Sequence, residues 1–119
     1  MKKTMVIGAS TNPARYSNLA IHMLLEGEHP IIALGLREGK VGEVMITSEK
    51  KMFSDVDTIT LYIGAKRQPE YYDYVVSLKP KRVIFNPGTA NPEFQELLME
   101  NGIEVLQACT LVLLRTNNY

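Results

Sequence analysis

The chain has 119 residues, with 13 Lys plus Arg against 13 Asp plus Glu and 45% hydrophobic residues, so one compact domain spanning 1–119 is expected and a second catalytic domain does not fit. Roughly 70% of accessible surface is buried at about this size, enough for a core without metals or disulfides, and the near-average composition excludes disorder. Zero formal charge speaks against a nucleic-acid coat, which shows as a basic excess or stripe; any anion must be met by local cations.

The single cysteine, Cys109, allows no intrachain disulfide and no four-cysteine zinc framework, and a reducing cytoplasm is the expected home. Lys2-Lys3 precede an apolar run, Met5 to Ala9, that Ser10-Thr11-Asn12-Pro13 interrupts, too short for a signal-peptide core. No stretch approaches the ~18 apolar residues of a membrane span.

In chain order, Thr4–Ile7 reads as a first strand, ending at Gly8. Ser17 is the expected cap of a first helix, whose apolar face is Ala20, Met23 and Leu24, with Gly27 near its end. Pro30–Leu34 is a second buried strand, followed by the glycine-rich loop Gly35–Gly42 and a short extension around Val44–Ile46. Thr58–Ile63, rich in β-branched and aromatic residues, is the third strand.

Pro69 suits the first turn of a helix running to about Leu78. Tyr72 is expected in its core-facing side and Tyr71 on the surface. Arg82–Phe85 is the fourth strand, closed by Asn86-Pro87-Gly88. Asn91 caps the next helix, with Pro92 first inside and Gly102 past its end. Ile103–Leu106 is the fifth strand, and Leu111–Leu114 docks as a short helix before a polar tail, Thr116–Tyr119.

Strands alternating with helices on short connections predict an α/β fold: a single doubly wound, Rossmann-like domain with a mainly parallel five-stranded sheet and helices on both faces. The expected order is 3-2-1-4-5, which places the ligand crevice between strands one and four.

The loop Gly8–Asn18 precedes a helix N-terminus, where free amides and the helix dipole hold phosphate, and Arg15 adds a charge there. A dinucleotide fingerprint requires three glycines and an acid after strand two. Here Ser10 and Pro13 replace two of the glycines, and Arg37 stands where the acid is expected. Plain NAD is thereby disfavoured. A cation at that place suits a phosphate on the adenosine ribose, 2′ in NADP or 3′ in coenzyme A, and the chemistry leaves both open.

Val6-Ile7-Gly8-Ala9-Ser10, followed by Asn12-Pro13 and Arg15-Tyr16-Ser17-Asn18, resembles the opening of the small CoA-binding proteins similar to the CoA-binding domain of succinyl-CoA synthetase alpha chains. The resemblance covers nearly the whole chain. It implies a CoA cofactor, with phosphates on the first loop and the next three strand exits flanking nucleotide and pantetheine. The residues it carries over are Gly8, Ala9, Ser10, Arg15 and Ser17 on the loop, Leu36 and Arg37 after strand two, Ile63 and Gly64 after strand three, and Asn86 and Gly88 after strand four. Asn12 and Arg67 join them as neighbouring polar and cationic groups. Where that family has Asn-Pro ending strand two, this chain has Gly35-Leu36.

No chemistry-bearing constellation emerges. His22 and His29 have no partner at metal-ligand spacing, no metal is expected, and no nucleophile, base and orienter come together. Cys109 defaults to a small buried residue, with a mixed disulfide to the CoA thiol as its sharper alternative. The expectation is a CoA-binding carrier, sensor or regulatory module with a small-molecule ligand, no nucleic acid and no membrane; a protein partner or a second copy is open. The alternatives are an NADP-using oxidoreductase or its subunit, and a partner-binding domain with a vestigial pocket.

Overall fold

The computed structural model describes residues 1–119. Its strands are β1 (Thr4–Ile7), β2 (Ile31–Leu34), β3 (Gly39–Val41), β4 (Val44–Thr47), β5 (Thr58–Leu61), β6 (Arg82–Phe85) and β7 (Glu104–Gln107). They form one sheet in the order β3-β4-β2-β1-β5-β6-β7, parallel throughout except where β3 pairs with β4. The helices are α1 (Tyr16–Glu26), α2 (Tyr72–Leu78), α3 (Pro92–Glu100) and α4 (Thr110–Arg115).

The α/β class is as expected, but the five-strand count and the strand order are corrected. Val44–Thr47 is a full parallel strand on β2, with Ala33 opposite Ile46 and Leu34 opposite Thr47, and β3 folds back on it as an antiparallel edge. With that flank of β2 filled, the strand at Thr58 pairs with β1 instead, Thr4 opposite Thr58 and Ile7 opposite Leu61. The six parallel strands in chain order therefore run 3-2-1-4-5-6, a doubly wound arrangement. Its switch point lies between β1 and β5, not between β1 and the strand at Arg82.

Strand alternation sorts the core into two layers. Met5, Ile7, Ile59, Leu61, Val83 and Phe85 face α2 and α3, where they meet Val75, Leu78, Phe94 and Leu98. On the opposite face Val6, Ala33 and Ile46 meet Ile21 and Leu24 of α1, and α4 packs beside α1. The β5 side chains on this second face are Thr58 and Thr60, both fully buried. Thr60 bonds Thr110 of α4 hydroxyl to hydroxyl at 2.7 Å, so a polar contact joins α4 to β5, while Leu114 of α4 packs against the apolar cluster of this face.

Asn91 caps α3 as expected, its Oδ1 accepting the Phe94 N–H at 3.3 Å. Ser17 does not cap α1: the cap position is Arg15, two residues earlier and extended, the helix starts at Tyr16, and Ser17 is buried in the first turn. The helix expected from Pro69 opens instead with a tight 3-10 turn, Pro69–Tyr71, before α2. At about three residues per turn this turn sets Tyr71 into the core, 5% exposed, overturning its expected surface role; Tyr72 is half-buried and stacks on Phe94 at 4.4 Å. The tail is not merely polar. The Tyr119 hydroxyl lies 2.6 Å from Thr4 Oγ1, and the Arg82 guanidinium sits 4.6 Å over its ring.

Candidate functional site

The carboxyl ends of β1, β2, β5 and β6 open into one cleft of about 600 Å³, a volume in the usual range for small-molecule sites. Its first wall is the loop after β1. Gly8 has φ +95, and a Cβ there would stand 2.9 Å from Ile63 Cγ2 and 3.0 Å from the Tyr62 carbonyl carbon; the missing side chain lets the β1 and β5 exits lie against each other. The Gly8 and Ala9 N–H groups both donate to the Leu34 carbonyl, at 2.9 and 3.0 Å, which fixes the start of the loop.

Beyond that point the loop braces itself. Ser10 Oγ accepts the Asn12 N–H at 3.1 Å, Asn12 Oδ1 accepts the Ala14 N–H at 2.9 Å, and Asn18 Nδ2 donates to the Ser10 carbonyl at 3.0 Å. The N–H groups of Ser10, Thr11, Tyr16 and Ser17 donate to no protein atom. Two free donors at the entry of an eleven-residue helix, with two more on the loop before it, make an anion-holding edge, aided at the helix end by its dipole.

The second wall comes from Leu36 and Arg37 after β2, the third from Tyr62, Ile63, Gly64 and Arg67 after β5, and the fourth from Pro87, Gly88 and Thr89 after β6. Gly35 sets the second wall: a Cβ there would lie 2.4 Å from the Ala9 carbonyl oxygen. A glycine at 35 thus has a steric account, since the β2 exit packs directly on the β1 loop with no space for a side chain.

All the expected site residues line this cleft except Asn86. Asn86 is 3% exposed, and its amide is spent inside the fold, donating to Thr60 Oγ1 and the Leu61 carbonyl and accepting the Thr110 N–H. Thr11, a short donor on the first loop, also lines the cleft, as do Tyr16, Tyr62, Pro87 and Thr89, to which the sequence assigns no binding role. Tyr16 was the most findable: an aromatic ring at a helix start, 73% exposed.

Arg15, Arg37 and Arg67 line the cleft and no Asp or Glu does; none of the three has a carboxylate within 4 Å, the ion pairs of the chain being Lys50–Glu70, Lys51–Glu49 and Lys81–Asp57. A chain of zero net charge therefore presents a purely cationic cleft. The Tyr62 hydroxyl is buried without a hydrogen-bond partner. Burial pushes its phenol up to about 12, with the nearby Thr110 hydroxyl offsetting part of the rise, so it is neutral at ordinary pH.

The remaining candidates stand apart. His22 is exposed on α1. His29 accepts the Lys2 N–H at 3.1 Å and is held below the usual imidazole range by burial. No three metal-ligating side chains gather anywhere in the chain. Cys109 is half-buried at the start of α4, outside the residues that line the cleft.

A doubly wound parallel sheet with its cleft at the switch point defines a Rossmann-like domain. The sequence profile of the CoA binding domain family matches residues 2–115, and the chain belongs to that family, which is related to the CoA-binding domains of succinyl-CoA synthetases. An uncharacterized protein of known crystal structure shares 46% identity over 100% of this chain and 98% of its own, with a TM-score of 0.98. A protein from Thermus thermophilus (20% identity, 99% and 91% of the two chains, TM-score 0.86) and a hypothetical protein from Pyrococcus horikoshii OT3 (22%, 93% and 80%, 0.85) share the fold. No curated protein matches the sequence. No helix is long and apolar enough to cross a membrane.

Proposed function

We propose that this protein binds coenzyme A or an acyl-CoA in the switch-point cleft and acts as a carrier, sensor or regulatory module without a reaction of its own. The observation that carries this reading is the set of three unpaired arginines around a cleft free of carboxylates, joined to four free amides on the β1 loop and the α1 entry it leads to. CoA brings a pyrophosphate and a 3′-phosphate, which call for such cations and amides. With β2, β1, β5 and β6 side by side, a ligand along the carboxyl edge lays adenosine over Leu36 and Arg37. Its pyrophosphate then meets the Gly8–Ser17 loop, and pantetheine runs over Ile63 and Gly88.

Within the cleft no nucleophile is paired with a base: its hydroxyls belong to Ser10, Thr11, Tyr16, Ser17, Tyr62 and Thr89, and it holds no His, Cys or acid. That composition supports binding over catalysis. Thermal-shift titration with CoA, dephospho-CoA, NADP and NAD tests the reading. Stabilisation by CoA above the other three is expected; a larger shift with NADP transfers the site to a dinucleotide, and no shift with any of the four removes both ligands.

A further inference from the structure

We propose that Gln68, which does not line the cleft, is the positioning residue for its pantetheine half. The proposal rests on the CoA reading above. Gln68 is fully buried, 0% exposed, between the exits of β5 and β6. Its Nε2 donates to the Ile63 carbonyl at 3.0 Å and to the Thr89 carbonyl at 2.7 Å. Its Oε1 accepts from Asn91 Nδ2 at 3.0 Å. Two carbonyls on one side and an amide N–H on the other admit a single orientation of the side chain. The Ile63 bond fixes Gln68 within its own loop, and the Thr89 and Asn91 bonds tie that loop to the one after β6.

The consequence is mechanical. Ile63 and Thr89 belong to loops on neighbouring strands, and no backbone hydrogen bond joins those two loops to each other. Asn86 ties the strand ends, donating to the Leu61 carbonyl; further out along the loops the Gln68 amide is the link, and it holds the spacing of the two cleft walls over which a thin, flexible arm must pass. Asn91 extends the link, since its Nδ2 also donates to the Tyr72 hydroxyl at 2.9 Å while its Oδ1 caps α3. Helix α3, which follows the β6 exit, is thereby tied to the same pair of walls. A buried group that holds such a wall sets affinity without touching the ligand.

The test compares wild type, Gln68→Met and Asn91→Ser. Methionine keeps the volume and removes the donors. Serine removes only the Asn91 amide and keeps a capping oxygen. Calorimetry is run with CoA and with adenosine 3′,5′-bisphosphate, which lacks pantetheine, alongside amide hydrogen exchange without ligand. Gln68→Met is expected to weaken CoA about tenfold and leave the bisphosphate within about twofold, with faster exchange at the Arg67 and Thr89 amides; Asn91→Ser moves the same way by less. Equal weakening of both ligands, or an unchanged CoA affinity, overturns the proposal. Wild type that binds no CoA overturns the pantetheine role together with the reading beneath it, and unchanged exchange at Arg67 and Thr89 overturns the clamp itself, so the two failures are distinct.

Discussion

Asn86 Oδ1 accepts the backbone N–H of Thr110 at 2.9 Å, which fastens the entry of α4 to the exit of β6. The same amide donates to Thr60 Oγ1 and to the Leu61 carbonyl, both at 2.7 Å. Three segments far apart in sequence thus converge on one buried side chain. Asn86→Ala leaves the Thr110 N–H and the Leu61 carbonyl without these partners in a closed space, at a cost of about 2–4 kcal/mol. Urea unfolding is expected to show that loss, while the CoA affinity of the folded fraction changes by less than about threefold.

Gly35 carries the close packing of the β2 exit on the Ala9 carbonyl. Gly35→Ala must push the Leu36-Arg37 wall away from the loop after β1, because the clash is with backbone rather than with a flexible side-chain end. A stability loss of about 1–3 kcal/mol is expected, together with weaker CoA binding, read by thermal unfolding and calorimetry on the same sample. Stability and affinity that both match wild type would show that the approach is looser than described.

Tyr62 predicts an alkaline limit. Its phenol is raised by burial to about 12 in the folded protein against 10 in the unfolded chain. Below pH 10 both states keep the proton and stability is unaffected. Between 10 and 12 the unfolded chain releases it first, so stability falls as pH rises. The folded phenols of Tyr71, Tyr72, Tyr74 and Tyr119 are also raised, chiefly by burial, and add to the slope. Tyr62→Phe removes a buried hydroxyl that has no partner and is expected to be neutral or stabilising at pH 8, with a shallower decline above pH 10 in chemical denaturation.

In the proposed CoA reading, Arg37, which lines the cleft after β2, meets the ribose phosphate. Arg37→Ala should cost about 1–2 kcal/mol of CoA affinity, roughly five- to thirtyfold, the worth of a charge-assisted hydrogen bond at a half-open site. Dephospho-CoA should be bound equally by the variant and wild type. A variant that still prefers CoA over dephospho-CoA places the 3′-phosphate elsewhere, with Arg15 as the next candidate.

The loop after β1 was legible in the sequence as one wall of the cleft because its signal is local: Gly8, the small polar residues after it and the start of the following helix lie within eleven positions. The outer sheet was not. Gly39-Lys40-Val41 has little strand propensity, and only pairing with Val44–Thr47 makes it a strand, so the extra pair displaced the whole expected order. Asn86 shows a different limit. An asparagine after a strand has the same local signature whether its amide meets a ligand or a buried N–H, and Thr60 and Thr110, which decide the matter, lie more than twenty residues away on either side. Gln68 was invisible for the same reason, reading as a loop residue until Ile63, Thr89 and Asn91 closed around it.

The most direct measurement is an amide chemical-shift titration of the 15N-labelled protein with CoA. Saturable shifts are expected at Gly8–Ser17, at Leu36 and Arg37, and at the Ile63–Arg67 and Gly88–Thr89 walls, with the outer face of α3 around Glu96 and Glu100 unmoved. Shifts confined to other surfaces, or none at millimolar CoA, would contradict the assignment of this cleft to coenzyme A.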